Sequence, residues 1–204
     1  MKPNRTHEIM RFIQNYDTSA QEQSVHLRAE EQLRKFLSDT TLNEEQRTFL
    51  KYQLAIALDL GGKPLDSLEL FHEVIAADPH NQEFQQSMLV IHSRVVVLAT
   101  QVMIEDESNP VLLNYHEILN AHHFSPDWLC FAVARQFAAT GRRVQARALA
   151  ESVHQACLND PDSLRECLRV ARICEDRAWE AELVERVEDI RERRPYDPRY
   201  LDLG

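Results

Sequence analysis

Two Glu-x-x-His strings, Glu69-Leu-Phe-His72 and Glu151-Ser-Val-His154, are the sharpest pattern of chemistry-bearing residues in this chain. On a helix, a spacing of three residues sets carboxylate and imidazole on one face. Two such strings plus two lone glutamates build the carboxylate di-iron site of ferritin-like bundles. The extra carboxylates would come from Glu30 or Glu31, and from Glu105, Glu107 or Glu117. Two features oppose that reading. Pro64 and Pro79 confine the first string to a short helix, whereas di-iron bundles use much longer ones. Leu68, Phe71 and Ile75 also form an apolar stripe that turns Glu69 and His72 outward. Both strings are read as surface pairs, so no metal site and no cofactor are expected.

The remaining candidates are weaker. His122 and His123 are adjacent at a helix end, ahead of Phe124-Ser125-Pro126, where their side chains diverge and do not easily share one metal. No nucleophile elbow, zincin string or phosphoryl-transfer aspartate cluster occurs. Four glycines in 204 residues leave no Gly-rich phosphate loop. The expectation is therefore a protein that is not an enzyme. The cysteines, Cys130, Cys157, Cys167 and Cys174, include no C-x-x-C. Cys167 and Cys174 share a stripe with Leu164 and Ala171, which suits reduced core thiols.

Charge narrows the class of partner. The chain carries 23 Lys and Arg against 33 Asp and Glu, a formal net charge of −10. An acidic surface repels phosphate backbones, so no nucleic-acid partner is expected. Residues 63–124 hold most of the excess, with Lys63 and Arg94 as their only cations. That stretch is either a solvated acidic face or a surface for a basic partner. The first residues, MKPNRTHEIMRFIQNYD, lack the apolar core of a secretory signal. The most apolar window, Met88 to Ile104, is interrupted by His92, Ser93 and Arg94 and falls short of the ~20 residues a spanning helix needs. It is read as a buried helix, with no membrane insertion and a cytoplasmic location.

These residues must be positioned by helices. Apolar residues recur at helical spacing in Ile9, Phe12, Ile13 and Tyr16; in Val25, Ala29, Leu33, Phe36 and Leu37; and in Ala146, Leu149, Val153 and Ala156. No segment alternates long enough to predict a strand. Asn109-Pro110, Ser125-Pro126 and Asp160-Pro161 read as helix starts. Ser19 to Glu22, Thr41 to Glu44 and Ser163 to Glu166 fit capping boxes. The prediction is all-α: about ten helices, near 5–16, 20–38, 43–60, 64–77, 81–106, 110–121, 125–140, 143–158, 162–175 and 177–193, pairing as five antiparallel hairpins. They make one domain over residues 1–193, followed by an extended tail over 194–204.

The stretch from Tyr52 to Pro79 resembles the tetratricopeptide repeat, a 34-residue helix–turn–helix. With Thr48 as first position, Leu54 and Ala55 form the large–small pair, Leu58 takes the aromatic site and Gly62 the turn. Ser67 then falls at the close crossing, Phe71 at the second-helix aromatic and Pro79 at the closing proline. A second match, over residues 127–158, places Val133 and Ala134, Phe137, Gly141 and Ala146 in the same roles, with Ala150 where Phe71 stands. Gly62 and Gly141 are 79 apart, so the intervening hairpin must be longer than one repeat. The string Ala29 to Phe36 is similar to importin or HEAT repeats. The resemblance implies an α-solenoid whose concave groove is lined by repeat positions 2, 5, 9 and 12. Those are Phe49, Tyr52, Ile56 and Asp59 in the first match, and Trp128, Phe131, Arg135 and Ala138 in the second. Such a groove suits a peptide or helix of another protein; the alternative is that the aromatics are core. Tyr52 and Ile56 stand where a chaperone-tail clamp would need Lys and Asn, which argues against that activity. The function expected is an adaptor or scaffold that binds protein, with self-assembly as a homodimer and di-iron chemistry as the alternatives.

Overall fold

The computed structural model describes residues 5–121, 123–156, 160–194 and 197–200. Among them every regular element is helical. They are α1 (Arg5–Asn15), α2 (Gln23–Leu37), α3 (Glu44–Leu60), α4 (Pro64–Ala77), α5 (Gln82–Glu105), α6 (Val111–Ala121), α7 (Asp127–Ala139), α8 (Arg143–Ala156), α9 (Pro161–Ile173) and α10 (Arg177–Arg193). A 3-10 turn, Pro198–Tyr200, follows. The predicted all-α fold is present, with the expected pairing at α3–α4, α7–α8 and α9–α10, while α2 packs on α3. His122, Cys157, Tyr196 and the last four residues, on which parts of the sequence reading rest, lie outside the described residues.

The same hydrogen-bonded turn closes three hairpins and also ends α6, where His123 has φ 61°, its N–H donates to the Asn120 carbonyl at 3.0 Å and the Phe124 N–H to that of Leu119 at 2.9 Å. Gly62 has φ 82°; its N–H donates to the Asp59 carbonyl at 3.0 Å, and the Lys63 N–H to that of Leu58 at 2.8 Å. This is a Schellman closure, in which a left-handed residue lets two orphan carbonyls of the last helical turn be satisfied. Gly141, φ 79°, repeats it after α7, with Arg142 donating to Phe137 at 2.8 Å. Glu175 repeats it after α9 at φ 54°, with Asp176 donating to Ala171 at 3.0 Å. Positions 141 and 175 are one 34-residue period apart, as are the starts of α7 and α9 and of α8 and α10. The pair α9–α10 is thus a hairpin in register with α7–α8, hidden in the sequence because Glu stands where Gly marks the turn.

Helix starts depart from the sequence expectation in three places. Helix α2 begins at Gln23 behind an uncapped Glu22, while Ser19 hydrogen-bonds Asp17 instead. Helix α3 is capped by Asn43, whose side chain accepts from Gln46 N–H and whose own N–H donates to the Gln46 side chain. Asp160 caps α9 as the Asp160-Pro161 start predicts, so the alternative cap, Ser163, is not used. Ser125 does not cap α7, because its hydroxyl is held by His116. Asn43 and Asp160 hold the N-cap positions, and their side-chain oxygens accept the N–H of the third helical residue, Gln46 and Ser163 respectively.

The chain divides into two compact units, residues 1–98 and 99–204, with the division inside α5. In the first, Leu33, Phe36, Leu50, Leu54 and Leu58 make the core, with Phe12 packed edge-on against Phe36. Beside it Ser67 is fully buried, and its hydroxyl donates to the Ala55 carbonyl at 2.7 Å, tying α4 to α3 at the crossing. In the second, α7 to α10 stack in chain order, α7 also packing on α9, around Leu164, Leu168, Ala171, Trp179 and Val187. Cys130, Cys167 and Cys174 are free thiols buried there, and burial pushes Cys167 up to about 12. The described part of the tail turns back, with Tyr200 buried and its carbonyl accepting from Arg191 at 2.7 Å.

The reading of the Met88–Ile104 window as a buried helix is corrected. Helix α5 buries Phe84, Ile91, Val95 and Ala99, but Leu89, Val90, Val97 and Ile104 are exposed. By length and composition alone α5 is long and apolar enough to cross a membrane, and 22% of its most apolar stretch is buried. The apolar residues of α5 are spread around the helix and form no single stripe, so the sequence did not show which side meets a neighbour.

The Ser67 crossing makes a specific prediction. Ser67→Ala removes one buried hydrogen bond and should cost about 1 kcal/mol, whereas Ser67→Leu forces the helices apart and should cost about 1–3 kcal/mol. Urea unfolding followed by circular dichroism checks it; equal stability of the leucine variant and wild type would show that the crossing is not tight.

Candidate partner-binding surfaces

Helix α3 carries the first set of expected groove residues. Tyr52 is 5% exposed, edge-on to Phe71 with ring centroids 5.8 Å apart, and 4.7 Å from the Phe84 centroid. Its hydroxyl donates to Glu83 at 2.8 Å and lies 3.2 Å from the Ser87 hydroxyl. Burial raises its pKa, and Glu83 adds to the effect. Asp59 is also buried and ion-pairs with Arg94; burial pushes its carboxyl up and the guanidinium pulls it back. Both residues therefore face α5, which covers this part of α3. Ile56 is half-buried.

Phe49, one turn nearer the N-terminus, escapes that cover. It is half-buried and lines an open cleft of about 540 Å³ between the start of α3, the end of α4 and the start of α5. Phe84 and Ala77 extend the apolar lining, while Glu44, Glu45 and Asp78 make its rim acidic. The helix ends meet here because the Gly62 turn brings α4 back along α3. The cleft combines an apolar floor with negative charge, a chemistry that accepts an apolar side chain flanked by cations.

Helix α7 carries the second set. Phe131 is 4% exposed and belongs to the core of its unit, as does Ala138. Trp128 is half-buried. Arg135 is the centre of an ion-pair cluster: its guanidinium pairs with Glu107, in the turn after α5, and with Glu166 of α9. Arg169 of α9 reaches the same two carboxylates, at 3.6 Å and 4.0 Å. The neighbouring Gln136 donates through Nε2 to the carbonyls of Glu107 and Asn109, at 2.9 and 3.0 Å. An open notch of about 220 Å³ lies alongside, with Ala139 and Ile173 on its wall. Arg135 and Arg169 are 34 residues apart and occupy the same repeat position on consecutive hairpins. Sequence reasoning found the first and missed the second; the 34-residue spacing counted forward from Arg135 was the signal that could have found it.

The Glu-x-x-His residues are placed differently from expectation in one respect. Glu69 is exposed, and His72 is half-buried with its ring 5.4 Å from that of His92. Glu151 pairs with Arg147 at 2.7 Å, but His154 is 5% exposed and not a surface residue. Helix α8 packs between α7 and α9, so its buried arc is wide enough to take in His154 beside Val153. No three His, Cys, Asp or Glu side chains gather to hold a metal ion among the described residues.

No family model and no curated protein matches the chain. Among solved structures it is similar to a crystal structure of a kinesin light chain protein of Podosopora anserina with nearly identical TPR-like repeats. The identity is 22%, covering 87% of this chain and 92% of that one, with a TM-score of 0.39. The architecture rests on the hairpins themselves: the described residues form an all-α fold whose hairpins α7–α8 and α9–α10 are stepped by 34 residues, the length of a tetratricopeptide repeat.

Two buried histidines couple the second unit to pH. Burial lowers the pKa of His116, whose Nδ1 lies 2.9 Å from the Ser125 hydroxyl, with Glu117 opposing. Burial and then Arg186 lower that of His154, with Glu151 and Asp160 opposing. Above the ordinary value of 6.5 both histidines are neutral whether folded or unfolded, so they add no pH dependence. As pH falls below it, the unfolded chain takes up protons that the folded chain refuses, and stability drops until the folded histidines titrate too. The thermal midpoint should fall from about pH 7.5 to about pH 5.5, a window around the ordinary histidine value, and fall less in His154→Gln. An identical decline in that variant would remove His154 as a contributor.

Proposed function

We propose that this protein works as a non-enzymatic interaction module that binds a segment of another protein in the cleft at the start of α3. The observation carrying the reading is Phe49 on the wall of an open cleft with an acidic rim, whereas Tyr52 and Phe131 are committed to packing. An apolar residue flanked by Lys or Arg is the complementary ligand, since the rim steers the cations and the floor takes the apolar side chain. The test is a displayed peptide library selected against the full chain. Selected peptides should be basic with one large apolar anchor, and Phe49→Lys should weaken them at least tenfold with helicity unchanged. Ligands that bind the Phe49→Lys variant as tightly as wild type would overturn the cleft assignment.

Homodimer formation is a second reading, favoured by the exposed apolar residues Leu89, Val90 and Val97 on α5. Isolated exposed hydrophobics are ordinary, but three within nine residues of one helix are a patch. Light scattering on the wild type and on Val90→Lys/Val97→Lys decides it: a dimer that the double variant converts to monomer supports self-assembly, and a monomeric wild type ends it.

A further inference from the structure

The turn after α5 sits against α7 and α9 in the way a bound peptide would. Glu107 offers its carboxylate to Arg135 and Arg169, one from each of two consecutive hairpins. Gln136 reads the carbonyls of Glu107 and Asn109, which are backbone groups any peptide presents. The notch alongside is walled by Ala139 and by Ile173, which is 39% exposed, and it stays open beside the turn. We infer that this notch is a peptide site for a segment bearing an acidic side chain next to an apolar one, and that residues 106–110 occupy its polar half as a tethered stand-in.

The charge balance supports the assignment. With Glu107 in place, two guanidiniums face two carboxylates, Glu107 and Glu166. Displacing Glu107 leaves one guanidinium in excess, and only an anion restores the balance. Arginine suits the task because its planar fork engages a carboxylate through two parallel hydrogen bonds. A competing segment gains what the turn leaves unused, the apolar wall of Ala139 and Ile173. The turn is tethered, so its effective concentration is high, and a free peptide must exceed it by filling that wall.

This site deepens the interaction-module reading and rests on it, but it uses different residues, so the two fail separately. The probe is a fluorescein-labelled peptide with the sequence of residues 104–111, IEDESNPV, titrated by anisotropy into the full chain. Against wild type, Glu107→Ala should bind it at least tenfold more tightly. In that background Arg169→Ala, or a peptide with Gln at the second Glu, should lose the gain. Raising salt should weaken binding as well. Should Glu107→Ala lower helicity, Glu107→Gln keeps the side-chain volume and removes only the charge. No tightening in either variant overturns the inference, as does tightening that survives both Arg169→Ala and the Gln peptide. If this peptide fails while library ligands still depend on Phe49, only the notch falls. If the peptide binds and Phe49→Lys changes nothing, the interaction reading moves from the cleft to the notch.

Discussion

A single backbone constraint organises this molecule: one residue past the first helix of a hairpin must turn left-handed. That conformation returns the chain within two or three residues and satisfies the last carbonyls of the outgoing helix. The following helix is then antiparallel and adjacent by construction. Gly62 and Gly141 enter it without penalty, whereas Glu175 carries a Cβ and pays roughly 1 kcal/mol for the same φ. That the turn forms regardless at Glu175 shows packing of α9 and α10, through Leu168, Trp179 and Leu183, overriding local preference.

The close crossings depend on those turns. Ser67 and Ala146 are both fully buried five residues beyond the turn glycine, where a larger side chain would hold the helices apart. In the second unit the same geometry, stepped by 34 residues, sets Arg135 and Arg169 one above the other on the first helices of two hairpins. Cations are outnumbered in this acidic chain, and the repeat concentrates two of them on one short turn. The placement follows from period, not from any local signal around either arginine.

Much of the fold was legible because helix periodicity is written in apolar spacing. All ten helices lie within about two residues of their expected starts except α2, where Asp17 engages the expected cap, Ser19, and the helix starts three residues later behind an uncapped Glu22. Element existence survives such errors since a stripe such as Leu33, Phe36 and Leu37 must be buried whichever residue caps the helix. The site was less legible. Repeat position predicted that Tyr52 and Phe131 line a groove, but position along a helix does not say which neighbour covers it. Tyr52 meets Phe84 of α5, and of the aromatics on α3 it is Phe49, at the helix end, that stays open. His154 shows the same limit, because its burial depends on α8 lying between two helices and not on the Glu-x-x-His string. The α9–α10 hairpin was obscured by one residue type, Glu in place of Gly at the turn.

Cys130, Cys167 and Cys174 lie inside the stack that α7 to α10 build, and that placement makes chemistry a function of breathing. A thiol reacts as thiolate, and burial at Cys167 suppresses thiolate as well as access. Oxidant or alkylating reagent therefore meets these sulfurs only in the moments when helices separate. Their rate of modification is set by the frequency of opening and not by reagent concentration once closure is slower than attack. The three sulfurs thus act as internal clocks, each recording how often its own layer of the stack comes apart.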